Sequence, residues 1–258
     1  MTTLVTAREL GFGHRSEAGE PYLAMLYAYM DESGHESKLC VLGGFVGSES
    51  QWDACVSDWR QALKPRQHIH MTDLRWNSKP RRVAQLLSKL GPIPRQHGLM
   101  PVIGIVHRLI YDATAGRNEA LVASFSPWFF AFRKVVIGLR ALVPKNHNIK
   151  LIFERQDKFS PVILEIWNRL KLIDPTLNEK FSGIEFVEKG ITQLEPADYL
   201  AFQYREFFTD KTKPSQKAKM GMSIMEDDVI GGEYTMQEMK DYSRYIATNV
   251  LLSALHSK

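Results

Sequence analysis

The chain has 258 residues, of which 44% are hydrophobic and 24% charged, with a net charge of +4. This is the balance of an ordinary globular protein with room for a sizeable core. No stretch approaches the ~20 apolar residues that a membrane span needs, and the mildly basic charge is compatible with a nucleic-acid partner without requiring one.

Residues 1–21 carry Arg8, Glu9, Arg15, Glu17 and Glu20 and no apolar h-region. They read as a loose leader rather than a signal peptide, which makes a cytoplasmic location the expectation. Residues 22–258 are expected to form one domain, with a helical extension from about residue 209. The two cysteines, Cys40 and Cys55, fall in different predicted elements and form no CxxC. They are expected to be buried free thiols, and a cysteine-type zinc site is excluded.

The first apolar run, Leu26 to Met30, predicts a buried strand. Asp31 to Lys38 then reads as a polar connection turning at Gly34. Leu39 to Val46 predicts a second strand, which makes the pair a hairpin. Gly43, Gly44 and Gly47 lack the Lys-Ser/Thr of a phosphate loop and are expected to relieve crowding in that strand. Ser48 is a good N-cap for a helix whose apolar face is Trp52, Val56, Trp59 and Leu63. His68 to Leu74 is a connector, and Pro80 to Leu90 a short helix. Val102 to Tyr111 predicts the third strand. Asn118 to Leu142 predicts a long helix stopped by Pro144, its aromatic stripe (Phe125, Trp128, Phe129, Phe132) belonging to the core. Ile149 to Glu154, the helix Pro161 to Leu172, and Ile184 to Glu188 follow. The next helix, Thr192 to Phe208, opens with a possible Thr192–Glu195 capping box. Thr209 to Glu233 looks irregular, and Tyr234 to His256 predicts a terminal helix that offers a surface for a homo-oligomer. A hairpin followed by alternating units implies an α/β chain with a mixed sheet and helices on its faces.

The most informative residues are acidic. Asp31 and Glu32 end the first strand, Glu154 ends the fourth, and Asp198 lies inside the apolar helix 192–208. Unpaired carboxylates at the lip of a core are unfavourable, so they pair, shift their pKa or bind a cation. Glu195 and Asp198, three apart, share a helix face. Pairing with Arg155, Arg205 or Lys189 is the structural alternative. His68 and His70, two apart on an extended segment, point to one side. Three readings follow: a polar loop whose histidines bond to backbone, a transition-metal site, or a loop over the cleft in which His70 or Asp73 transfers a proton or positions substrate. Lys64, Arg66, Arg75, Lys79, Arg81 and Arg82 cluster after the first helix, with Trp76 placed to stack on a base.

With Asp31-Glu32-Ser33-Gly34 after a strand, Phe153-Glu154 later, and Gln193-Leu194-Glu195-Pro196-Ala197-Asp198 near the end, the chain resembles the bacterial and phage family catalogued as domain of unknown function 3800. The likeness runs from about Leu26 to Phe208. It departs from the family pattern in having Glu154 where Asp is usual, and in the longer stretch around Glu195-Pro196. The resemblance implies a ribonuclease H-like fold: a mixed five-stranded sheet flanked by helices, here with an additional C-terminal helix.

Together these features lead to the expectation of a divalent-metal-dependent nuclease, or a related phosphoryl-transfer hydrolase, using Mg2+ or Mn2+. Asp31, Glu154, Asp198 and Glu195 would hold metal. Asp31, Glu154, Asp198, Glu32 and His70 would be catalytic. Arg75, Trp76, Lys79, Arg81 and Arg82 would contact nucleic acid. The rival expectation is a catalytically inactive scaffold that docks nucleic acid or a protein.

Overall fold

The computed structural model describes residues 24–34, 38–74, 79–117, 125–209, 229–246 and 248. A six-stranded mixed sheet forms its middle layer, in the order β5-β4-β1-β2-β3-β6. The strands are β1 (Ala24–Ser33), β2 (Leu39–Gly47), β3 (Met100–His107), β4 (His147–Glu154), β5 (Phe181–Val187) and β6 (Ile230–Glu233). β1, β2 and β3 form an antiparallel meander. β4 runs parallel to β1, β5 parallel to β4, and β6 parallel to β3.

The helices are α1 (Glu49–Leu63), α2 (Pro80–Leu90), α3 (Ile93–Gln96), α4 (Arg108–Ala113), α5 (Pro127–Leu142), α6 (Phe159–Ile173), α7 (Leu177–Lys180), α8 (Leu194–Thr209) and α9 (Met236–Ile246). Leu26, Ala28 and Met30 of β1 join one core with α5, α6 and α9. Tyr27 and Tyr29 face the other way, against a second core built from α1, α2 and α8. Period-two alternation thus sends the odd-numbered residues of β1, Asp31 among them, toward α8.

Two glycines set how closely the layers approach. A Cβ on Gly43 would lie 3.2 Å from the Ala201 backbone of α8. On the opposite sheet face, a Cβ on Gly104 would lie 2.0 Å from the Ala131 carbonyl of α5. Gly44 is equally crowded, 2.0 Å from the Tyr29 carbonyl. Here the expected role of the β2 glycines is met: they let backbone come close.

Several expectations need correction. The sheet has six strands rather than five. β1 does not stop at Met30, because β2 continues its ladder through Asp31–Gly43, Glu32–Leu42 and Ser33–Val41. β3 ends at His107, where its ladder with β2 runs out at Leu39. The apolar Leu109-Ile110-Tyr111 that follows is helical, supported by an Arg108–Asp112 pair at 3.4 Å. α5 starts at Pro127, not Asn118, since Ser126 caps it and Pro127 fills the first turn. Residues 118–124 lie outside the described residues, as do 1–21, the lysine-rich 211–219 and most of the chain after Ile246. β6 emerges from the stretch expected to be irregular. The predicted capping box also gives way. Thr192 Oγ1 accepts from Arg60 at 3.2 Å, and the Glu195 carboxylate turns inward. Cys40 and Cys55 are buried and free, and burial pushes their thiols up to about 11 and about 12.

No helix among the described residues is long and apolar enough to cross a membrane.

Candidate functional site

The site forms where the C-terminal ends of β1 and β4 meet α8. Met30 and Phe153 are register partners on these parallel strands. Asp31 and Glu154 are the next residues on each, so they stand side by side, both on the α8 face. Asp31 is also the register partner of Gly43, over which Ala201 sits. Asp198 is three residues before Ala201, on the same helix face. Close packing at one glycine therefore brings the helix carboxylate toward Asp31.

The electrostatics agree with that placement. Asp31 is half-buried, and its carboxyl is held well above the usual carboxylate range. Burial is the main cause. The negative charges of Glu32 and Asp198 add to it, as does a side-chain hydrogen bond with Glu32, while the Glu32 backbone N–H pulls the other way. Glu32 is thus in contact with Asp31, and both lie within the strand rather than in a turn. Glu154 is half-buried at the end of β4.

Asp198 has a different neighbourhood. Its Oδ2 accepts the Met71 backbone N–H at 2.8 Å and lies 2.6 Å from His70 Nδ1. Its side chain is 16% exposed and that of His70 47%. The hydrogen bond to Asp198 raises the His70 pKa, with burial opposing it and the charges of Asp198 and Asp73 assisting.

Glu195 is buried. Trp59 Nε1 donates to its Oε2 at 2.7 Å, and the Ile69 N–H also donates to it. Burial raises its pKa, and these two donors and the nearby His68 counter the shift. The two α8 carboxylates, three apart, thus receive alternate N–H groups, Ile69 and Met71, of one extended segment. Ile69 is buried while His68 and His70 are exposed on the other side, as the spacing predicts. Glu195 fastens the connector beneath the site.

Two of the alternative partners are engaged elsewhere, while the charge of Lys189 is felt at His70. Arg155 pairs with Glu188 at 3.1 Å and Arg205 with Glu206 at 3.2 Å. Lys79, Arg81 and Arg82 are exposed at the start of α2, around a shallow depression with Pro80. Arg75 and Trp76 lie outside the described residues. Among the described residues, no three His, Cys, Asp or Glu side chains are grouped closely enough to hold a metal ion by themselves.

Sequence reasoning missed Trp59 and the Met71 N–H as partners of the α8 carboxylates. Trp59 registered only as part of an apolar face, and the one signal for the connector was the His-x-His alternation. Neither a protein-family model nor a curated protein matches the chain.

Proposed function

We propose that the chain is a divalent-metal-dependent nuclease, or a related phosphoryl-transfer hydrolase acting on nucleic acid, on a ribonuclease H-like sheet. The opening three-strand meander, continued by β4 and β5 parallel to β1, is compatible with that fold. One observation carries the functional reading. The charges of Asp198 and Glu32 bear on the half-buried Asp31, and Asp31 has no ion-pair partner among the described residues. Such a cluster gains stability from a hard cation, and Mg2+ or Mn2+ needs only a few carboxylates because it keeps several waters.

In this reading Asp31, Glu154 and Asp198 would hold the metal, with bound water completing its shell, and the ion would polarise a phosphoryl oxygen and acidify a water. His70, oriented through Nδ1 by Asp198, presents Nε2 to accept or return a proton. Glu195 positions the segment that carries His70. Lys79, Arg81 and Arg82 neutralise the phosphate backbone. The test is cleavage of labelled RNA and DNA by the full chain with and without Mg2+ or Mn2+. The expectation is metal-dependent turnover that Asp31→Asn abolishes while circular dichroism stays unchanged. A folded Asp31→Asn protein that cleaves at the original rate would overturn the assignment.

The non-cleaving binding scaffold is favoured by one feature. Asp198 Oδ2 is already committed to Met71 and His70. That reading expects salt-dependent nucleic-acid binding with no metal-dependent turnover.

A further inference from the structure

A cavity lies away from the carboxylates, on the opposite sheet face. Its volume is about 890 Å³, and it opens between α5, the end of α6, β6 and α9. That is within the range of small-molecule sites. Its charges are not equivalent. Lys134 is neutralised by Glu238 at 2.8 Å, Arg140 by Asp174, and Asp241 by Arg244 at 3.5 Å. Arg133 has no carboxylate partner among the described residues. Its guanidinium instead lies 3.3 Å from the centre of the Tyr242 ring, and its Nη1 donates to the Tyr234 hydroxyl at 2.7 Å.

Two tyrosines therefore hold the fork in place. A planar guanidinium presented this way matches a phosphate or carboxylate in two-point contact. Beside it, Tyr245 is 47% exposed and lies parallel to Tyr242, with ring centres 5.8 Å apart. An accessible ring next to an anchored cation suits a planar heterocycle that carries one anionic group. A single uncompensated charge selects one such group, not a polyphosphate.

We propose that this cleft binds a nucleoside monophosphate, its phosphate on Arg133 and the Tyr234 hydroxyl, its base on Tyr245. The assignment is independent of the carboxylate site.

The test is calorimetric titration of the full chain, without divalent metal, with adenosine monophosphate, adenosine and inorganic phosphate in separate runs. The expected order puts the monophosphate at least about tenfold tighter than either fragment, with a loss of about tenfold to a hundredfold in Arg133→Gln. Arg133→Lys keeps the charge and loses the fork, so it too should weaken binding, and it serves if the Gln variant fails to fold. A crystal soaked with 8-bromoadenosine monophosphate should show bromine beside Tyr245. Equal affinity for adenosine and its monophosphate, undiminished binding by both folded Arg133 variants, or bromine bound only elsewhere would each overturn the proposal.

Discussion

His70 Nδ1 sits 2.6 Å from Asp198 Oδ2 across 128 residues of sequence. Because the folded-state pKa of His70 is raised, the sign of its pH dependence is fixed. The stability contributed by the pair is fully present below the unfolded value of about 6.5 and fades as pH rises through the folded value. Asp198→Asn should bring the His70 titration, followed by the ring-proton NMR shifts, down toward its ordinary value. An unmoved titration would separate the two residues electrostatically.

Asp31 gives the mirror case for a carboxyl. Its folded-state pKa is raised, so its favourable contribution holds below about 3.8 and is lost as pH climbs through the folded value. Above about 3.8 the raised pKa counts against the folded state relative to a neutral side chain. Asp31→Asn should therefore raise Tm at pH 7 by a few degrees, on a scale of roughly 2–4 °C per kcal/mol for a chain this long. The gain should shrink toward pH 4. Thermal unfolding at both pH values checks it, and a lower Tm at pH 7 would contradict it.

Glu195 has two buried donors to satisfy, Trp59 Nε1 and the Ile69 N–H. Glu195→Ala leaves both without an acceptor, at a cost of about 1–3 kcal/mol for each. Glu195→Gln keeps one carbonyl acceptor and should lose less. Urea unfolding gives the ranking, and Trp59 fluorescence should shift in the Ala variant first.

Gly43→Val would drive α8 off the sheet, since even a methyl group there lies 3.2 Å from Ala201. We expect a loss of about 1–3 kcal/mol in urea unfolding. We also expect the His70 pKa to fall, because Asp198 rides on the same helix. Unchanged stability would mean that the helix–sheet spacing tolerates the branch.

Gln203 is fully buried on α8, and neither its Oε1 nor its Nε2 has a partner among the described residues. Gln203→Met should stabilise the fold by about 1 kcal/mol, as removal of an unsatisfied buried amide does. A destabilised Met variant would show that the amide is satisfied after all.

Much of this arrangement was legible in the residues. Leu26 to Met30 announces a strand, Ser48 an N-cap, and the Phe125 to Phe132 stripe a core helix. Asp31, Glu154 and Asp198 stood out because each interrupts an apolar element. Where the reading failed, the deciding partner was far away in sequence. β1 outran its apolar run because Val41 to Gly43 offered a ladder to Asp31-Glu32-Ser33. β6 stayed hidden because Gly231 and Gly232, at φ +96° and +117°, show no alternation of side chains. The Thr192–Glu195 cap was locally plausible, yet Trp59 and Arg60 on α1 claimed both side chains.

From Leu194 to Tyr204 every residue of α8 is buried except Asp198. The catalytic candidate is thus a single window in the most shielded stretch of backbone. Amide protons around it should exchange with solvent only when the entire molecule opens, so this side of the carboxylate site is an anvil that does not bend. The facing side is the connector, where His68, His70, Thr72 and Asp73 are exposed and Ile69 and Met71 are buried.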